Sequence, residues 1–227
     1  MATADVTVEG RMPWASNATF LVTLGDEPTA PARRAIYKPI RGERPLWDFA
    51  PGLYRREVAA YRLSEALGFG VVPPTVVRAD APLGEGSLQW FVEADHREHY
   101  FTIHEQRVDL HDQLRNIAVL DVVANNTDRK SGHCLLAGDR VWAIDNGLCF
   151  AAEFKLRTVI WEFAGTTLDA GQLAAVSALA ERIPDDIADM IDDDDEIAGI
   201  TRRAAWLAEH GVLPSDDVGH RYPWPLI

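Results

Sequence analysis

The stretch 125-NNTDRKSGHCLLAGDRVWAIDNGLCF-150 decides how the rest of the chain is read. Asp128 and Arg129 sit in a polar turn. Two short β-like runs follow, CLL and RVWAI, joined by the turn AGDR. Asp145 ends the second run, seventeen residues after Asp128. A hairpin of that length returns both carboxylates to one end of the ladder. Like charges held that close repel unless a cation or a proton stands between them. The stretch therefore asks for a partner of opposite charge.

Outward from it, 227 residues suit one large domain or two small lobes with a core of their own. The net charge is −13, from 35 acidic and 22 basic residues. That balance opposes a non-specific grip on nucleic acid, which relies on Lys and Arg neutralising phosphates. It also disfavours broad adhesion to anionic membranes. The opening MATADVTVEGRMPW lacks the charged start and apolar run of a secretory signal. No segment approaches the roughly 18–20 apolar residues of a membrane span. A cytoplasmic protein is expected, with no nucleic-acid partner and no stable membrane anchor. Cys134 and Cys149 are expected to be reduced, buried thiols.

Upstream, VTVEG, TFLVTL and RRAIYKPI read as strands separated by Pro, Gly and Asn turns. LYRREVAAYRLSEALG reads as a helix ending at Gly68. VVPPTVVRAD and SLQWFVEAD read as a second strand pair about the turn APLGEG. After the connection EADHREH, the segment DLHDQLRNIAVLDVVANN is helical, with Leu110, Leu114, Ile117 and Asp121 on one face. From about residue 155 the chain reads as mostly helical, with IDDDDE as a solvated helix start and YPWPLI as a strap on the core. The fold class is thus α+β: a compact two-lobed arrangement with a β-rich N-lobe, 1–94, carrying one helix. The C-lobe, 95–227, is mainly helical and carries the hairpin.

Two further charges occupy awkward places. Lys38 follows the apolar run AIY in a strand, where an unpaired ammonium is costly to bury. Glu57 lies on the one helix of the β-rich half, where it can meet that lysine. A lysine tied to a helical glutamate, facing two aspartates, is what phosphoryl transfer needs. A divalent cation also makes the aspartate pair tolerable.

With IYKP, the Glu57 helix, N-x-D-R at 126–129 and AIDNG in place, the chain resembles the protein-kinase-like superfamily over about residues 6–150. Its catalytic segment is most similar to the phosphatidylinositol 3-/4-kinase-like branch and to HipA-type kinases, and it resembles a bacterial family of short kinase-like proteins. That branch reads D-R-H-x-x-N, a strand pair, then I-D-F/H-G; here the segment reads DRKSGH…IDNG. The resemblance implies a kinase fold, ATP, and Mg²⁺ or Mn²⁺. It implies Asp128 as catalytic base and Asp145 as principal metal ligand. Lys38 and Glu57 become the ion pair that positions ATP. RMPWASNAT falls where the phosphate-covering loop belongs, with Ser16 and Asn17 as phosphate contacts. FVEAD becomes the hinge, placing Glu93 and Asp95 beside the nucleotide.

Three departures stand out. His133 replaces the asparagine that gives the second metal ligand, Lys130 replaces the histidine of D-R-H, and G-x-G-x-x-G is missing from the phosphate loop. Lys130 is either a γ-phosphate contact or a solvated amine, and His133 either a ligand or a structural histidine. Each of the other residues also has a structural reading: Lys38 on a strand edge, Glu57 on a solvated face, the two aspartates as turn braces, Ser16 and Asn17 as turn formers. The histidines at 96, 99, 104 and 111 fall in and around a connection and lack the helical H-E-x-x-H of a zinc site. The expected function is transfer of the γ-phosphoryl group of ATP to a hydroxyl of a small molecule, an inositol-type headgroup or a protein. Lys155 and Arg157 are candidate contacts for an anionic acceptor. The alternatives are a nucleotide-binding, pseudokinase-like regulator and a nucleotidylating enzyme.

Overall fold

Alternating burial along short β-branched runs builds the first sheet. In the computed structural model, which describes residues 1–13, 17–25, 33–217 and 219–226, β1 (Val6–Arg11), β2 (Phe20–Leu24), β3 (Arg34–Pro39), β4 (Thr75–Arg78) and β5 (Gly86–Trp90) form an antiparallel sheet in the order β1-β2-β3-β5-β4. On β3, Ala35 and Tyr37 join Val22, Leu24, Ala81 and Leu88 in a small core. The period of two then sends Ile36 and Lys38 to the opposite face. β5 stops at Trp90, short of the FVEAD extension that the sequence suggested. Pro74 O accepts from the Trp90 N–H and Arg34 O from the Phe91 N–H, and the ladder ends there.

Gly86 pairs with Pro39 where the two strands nearly touch. A Cβ at Gly86 would stand 2.3 Å from the Lys38 carbonyl oxygen and 2.7 Å from Pro39 Cα. Both are backbone atoms and cannot rotate away. Gly86→Ala is expected to destabilise the chain by about 1–3 kcal/mol, roughly 2–4 °C in Tm for each of those kcal/mol. Thermal denaturation followed by circular dichroism measures it; an unchanged Tm would mean that the strands are not this close.

Helix α1 (Leu53–Ala66) starts after Gly52, whose φ of 105° suits glycine. Its free N–H groups are met from outside the helix: Glu43 accepts from Gly52 N at 2.7 Å and from Tyr54 N at 2.9 Å. A carboxylate at a helix N-terminus also complements the helix dipole. This cap pins the segment after β3 to α1 and so fixes where Glu57 lies relative to Lys38.

The remaining helices are α2 (Tyr100–Gln106), α3 (His111–Ala124), α4 (Ala170–Glu181), α5 (Asp185–Ala188) and α6 (Asp194–His210); β6 (Cys134–Ala137) and β7 (Arg140–Ala143) make the hairpin. They enclose the larger core, which includes Tyr100, Leu114, Ile117, Phe150, Leu179 and Leu207. Cys134 and Cys149 are buried and free, and burial pushes the Cys134 thiol up to about 12. Two sequence expectations need correction. YFTIHEQ, left unassigned, is helical. Residues 155–169, which open the stretch read as mostly helical, contain no helix; the β-branched Thr158 instead bridges in parallel to Arg129. The acidic run does start α6, with Asp193 accepting from Asp195 N at 2.8 Å. The tail does strap the core: Leu226 packs against it, and its carbonyl accepts from Ser131 N at 2.8 Å. Among the described residues no helix is long and apolar enough to cross a membrane.

Candidate active site

Helix α3 ends at Asn125, whose φ of 52° is left-handed. Asparagine tolerates that conformation and its side chain uses it. The Asn125 amide donates to Ala151 O at 2.8 Å and Glu153 O at 2.6 Å, and its oxygen accepts from Lys155 N at 2.8 Å. Asn126 then bridges backwards and forwards. Its amide donates to Asp121 at 3.1 Å, and its oxygen accepts from the Asp128 N–H at 2.9 Å. The loop carrying Asp128 is therefore held by the helix it leaves.

Arg129 turns inward and is fully buried. Its Nε and Nη2 bind the buried Asp121 carboxylate at 2.9–3.1 Å. Its Nη1 donates to Ile144 O at 2.7 Å, and its Nη2 to Asn146 Oδ1 at 2.5 Å. One guanidinium thus joins α3, the Asp128 loop and the turn after β7. The sequence reading gave no role to Asp121, Arg129 or Asn146. The available signal was Asp121 itself, a charge on an apolar helix face, where only a partner makes burial tolerable.

Lys38 meets Asp145 from the opposite side. Its ammonium contacts Glu57 Oε1 and lies 2.7 Å from Asp145 Oδ1. The other oxygen of the buried Glu57 accepts from the Asn146 N–H at 3.0 Å. Sheet, helix α1 and the hairpin end are thereby joined through two carboxylates and one amine. Burial by itself would lower the Lys38 pKa, but Asp145 and Glu57 outweigh burial and raise it. Asp145 sits at φ 58° with its side chain half exposed, and Lys38 holds its pKa well below the usual carboxylate range.

Asp128 Oδ2 pairs with Lys130 Nζ at 3.0 Å. Burial nevertheless raises the Asp128 pKa, opposed by Lys130. His133 Nδ1 lies 3.0 Å from the Asp128 carbonyl oxygen, the shorter of its two contacts, while Nε2 is 3.4 Å from Asp145 Oδ2. Burial pushes His133 down to about 4, so the ring is neutral near pH 7. With its proton on Nδ1, the ring turns the Nε2 lone pair towards the Asp145 carboxylate. Two electron-rich groups facing at that distance suit a divalent cation between them. The described residues contain no ready group of three His, Cys, Asp or Glu ligands. Further coordination would come from phosphate oxygens and water, as is usual for Mg²⁺.

The other predicted residues are more dispersed. Ser16 lies outside the described residues. Asn17 Oδ1 accepts from Arg44 N at 3.0 Å, a bond that braces the chain after β3. Glu93 is exposed, 3.6 Å from Arg34, and lines a cavity of about 500 Å³ with Arg34, Trp90, Phe91 and Trp142. Asp95 is not in that lining; Arg97 holds its carboxylate at 2.6 Å and keeps its pKa low, at about 2. Lys155 is shared between Asp48 and Glu153 at 4.0 and 3.9 Å.

Protein Rv2133c of Mycobacterium tuberculosis (strain ATCC 25618 / H37Rv) is 38% identical across 99% of this chain and 93% of its own length. The chain belongs to the Rv2133c family. The chain has the protein-kinase-like fold. The crystal structure of the Golgi casein kinase with Mn/ADP bound matches it with a TM-score of 0.60 at 16% identity, covering 100% of this chain and 78% of that one. Phosphatidylinositol 4-kinase gamma 4 of Oryza sativa subsp. japonica is 30% identical over 56% of this chain, which is 28% of that protein. No protein-family model matches the chain.

Proposed function

We propose that the chain is an ATP-dependent phosphotransferase, using Mg²⁺ or Mn²⁺, that moves the γ-phosphoryl group to a hydroxyl acceptor. Residues 1–94 then form the nucleotide-phosphate lobe and residues 95–227 the lobe of the catalytic loop. The observation that carries this reading is Lys38, held between Glu57 and Asp145. A strand lysine braced by a helical glutamate beside a metal-ligating aspartate is the kinase solution to binding polyphosphate. The Mn/ADP of the Golgi casein kinase structure supports a nucleotide–metal site in this fold.

In this mechanism the Lys38 ammonium binds the α/β-phosphates, and Glu57 keeps it extended. The cavity beside Trp90, Phe91 and Glu93 takes the adenine end. Asp145 and His133 would hold the metal, which when bound would neutralise charge on the phosphates. Asp128 orients the acceptor hydroxyl and takes its proton. The acceptor oxygen bonds to the γ-phosphorus, the bond from that phosphorus to the β–γ bridging oxygen breaks, and ADP leaves. Lys130, paired with Asp128 at 3.0 Å, is assigned contact with the transferred phosphoryl group.

A thermal-shift titration with ATP, with and without Mn²⁺ or Mg²⁺, tests the site. At 100 times Kd the wild type should gain about 2.7 kcal/mol of stability, and Asp145→Ala should lose the metal-dependent part. No shift in a folded wild type would overturn the proposal. A second reading, a nucleotide-binding regulator, draws support from Lys130 occupying the Asp128 carboxylate and from His133 in the asparagine position. A metal-dependent shift without ADP formation across a panel of hydroxyl acceptors would favour it.

A further inference from the structure

Helix α6 carries a feature that the phosphotransfer reading does not use. Arg203 is a buried arginine, 8% exposed. Its Nε donates to Val123 O at 2.8 Å and its Nη1 to Ala151 O at 3.3 Å, both neutral carbonyls. Its Nη2 is buried with no hydrogen-bond partner. Among the described residues no carboxylate pairs with it. Glu196, on the same helix, is taken by both its oxygens by Arg56, at 2.8 and 3.0 Å. Buried guanidinium groups ordinarily carry a counter-charge, because burying an uncompensated ion is costly. Burial, reinforced by neighbouring Arg202, accordingly lowers Arg203 to about 10.

The space around this cation is also unusual. Arg203 lines a cavity of about 320 Å³ together with Val122, Ala152, Phe154, Arg202 and Trp206. That size and mainly apolar lining match small-ligand pockets, in which one or two charged groups fix orientation. Gly199 also lines it. Glycine inside a helix is unfavourable relative to alanine, yet a Cβ here would stand 2.7 Å from Arg203 Nη1 and 3.4 Å from Ala152 O. The glycine leaves room for the guanidinium.

We propose that this cavity binds a small amphipathic anion, its carboxylate or phosphate paired with Arg203 and Arg202 and its apolar body set between Trp206, Phe154 and Val122. The anion supplies the counter-charge that the chain withholds from Arg203. Phe154 and Trp206 are partly exposed at 45% and 38%, which leaves aromatic surface at the mouth for a ring or alkyl body. The site does not depend on phosphotransfer and stands whether or not the chain turns over ATP.

The test is isothermal titration of the intact chain with phenyl phosphate, phenylacetate and, as the neutral control, benzyl alcohol. Saturable binding of at least one anion is expected, with benzyl alcohol at least tenfold weaker. The two anionic arms separate a phosphate ligand from a carboxylate one. Arg203→Met should weaken binding at least tenfold. Because that change sits in the core, Trp206→Ala and Arg202→Met at the exposed mouth provide a second route, each checked for an unchanged melting curve. Loss of affinity in these mouth variants supports the site. No saturable heat with either anion, equal binding of benzyl alcohol, or mouth variants that bind like the wild type would each overturn it.

Discussion

Arg129→Met is expected to destabilise the chain by about 3–5 kcal/mol, the usual result of removing one partner from a buried ion pair. The substitution leaves the Asp121 carboxylate, 1% exposed, without its guanidinium. It also frees Ile144 O and Asn146 Oδ1 inside the protein. Urea denaturation followed by tryptophan fluorescence measures the loss. The double variant Asp121→Leu/Arg129→Met removes both charges and should be less damaged than Arg129→Met alone, a coupling that independent sites do not show. A loss below about 1 kcal/mol, the range of ordinary surface pairs, would mean that the guanidinium is not what holds the loop.

The second large effect is on rate. Asp128→Asn should lower phosphoryl transfer by about 10²–10⁴-fold, the range for a positioned general acid or base, while leaving the metal–ATP thermal shift in place. Asparagine keeps the side-chain size and lets the Asp128 N–H stay bonded to Asn126. ADP formation under saturating Mn²⁺ and ATP, with an excess of hydroxyl acceptor, gives the comparison. Unchanged turnover in the variant would remove Asp128 from the mechanism.

Much of the site was legible because it holds charges where local structure makes them costly. Lys38 after AIY, and Glu57 on the helix of the β-rich half, announced an ion pair between strand and helix, and the two do meet. The hairpin was legible from two β-like runs around AGDR. What escaped the sequence was the support beneath. Asp121 and Arg129 are eight residues apart and meet only because the chain reverses at Asn125 and the loop folds back under α3. The late start of helix after residue 155 has a similar cause. FKLRTVIW is apolar enough for a helix, but Arg129 N and O bond to Arg157 O and Val159 N, and this pairing draws it into an extended strip. Helix α2 was missed because YFTIHEQ is rich in aromatic and β-branched residues, weak helix formers that packing of Tyr100 and Ile103 overrides.

The contact between Lys38 and Asp145 has a consequence for the order of events. On the proposed reading, one carboxylate serves two cations, the lysine within the chain and the metal from solution. The lysine holds it at 2.7 Å, so a metal ion arriving alone would meet a competitor. On the proposed reading, the phosphates of ATP give Lys38 another anion and release Asp145. Metal and nucleotide then bind with positive heterotropic coupling, and the factor by which ATP tightens the metal must equal the factor by which the metal tightens ATP.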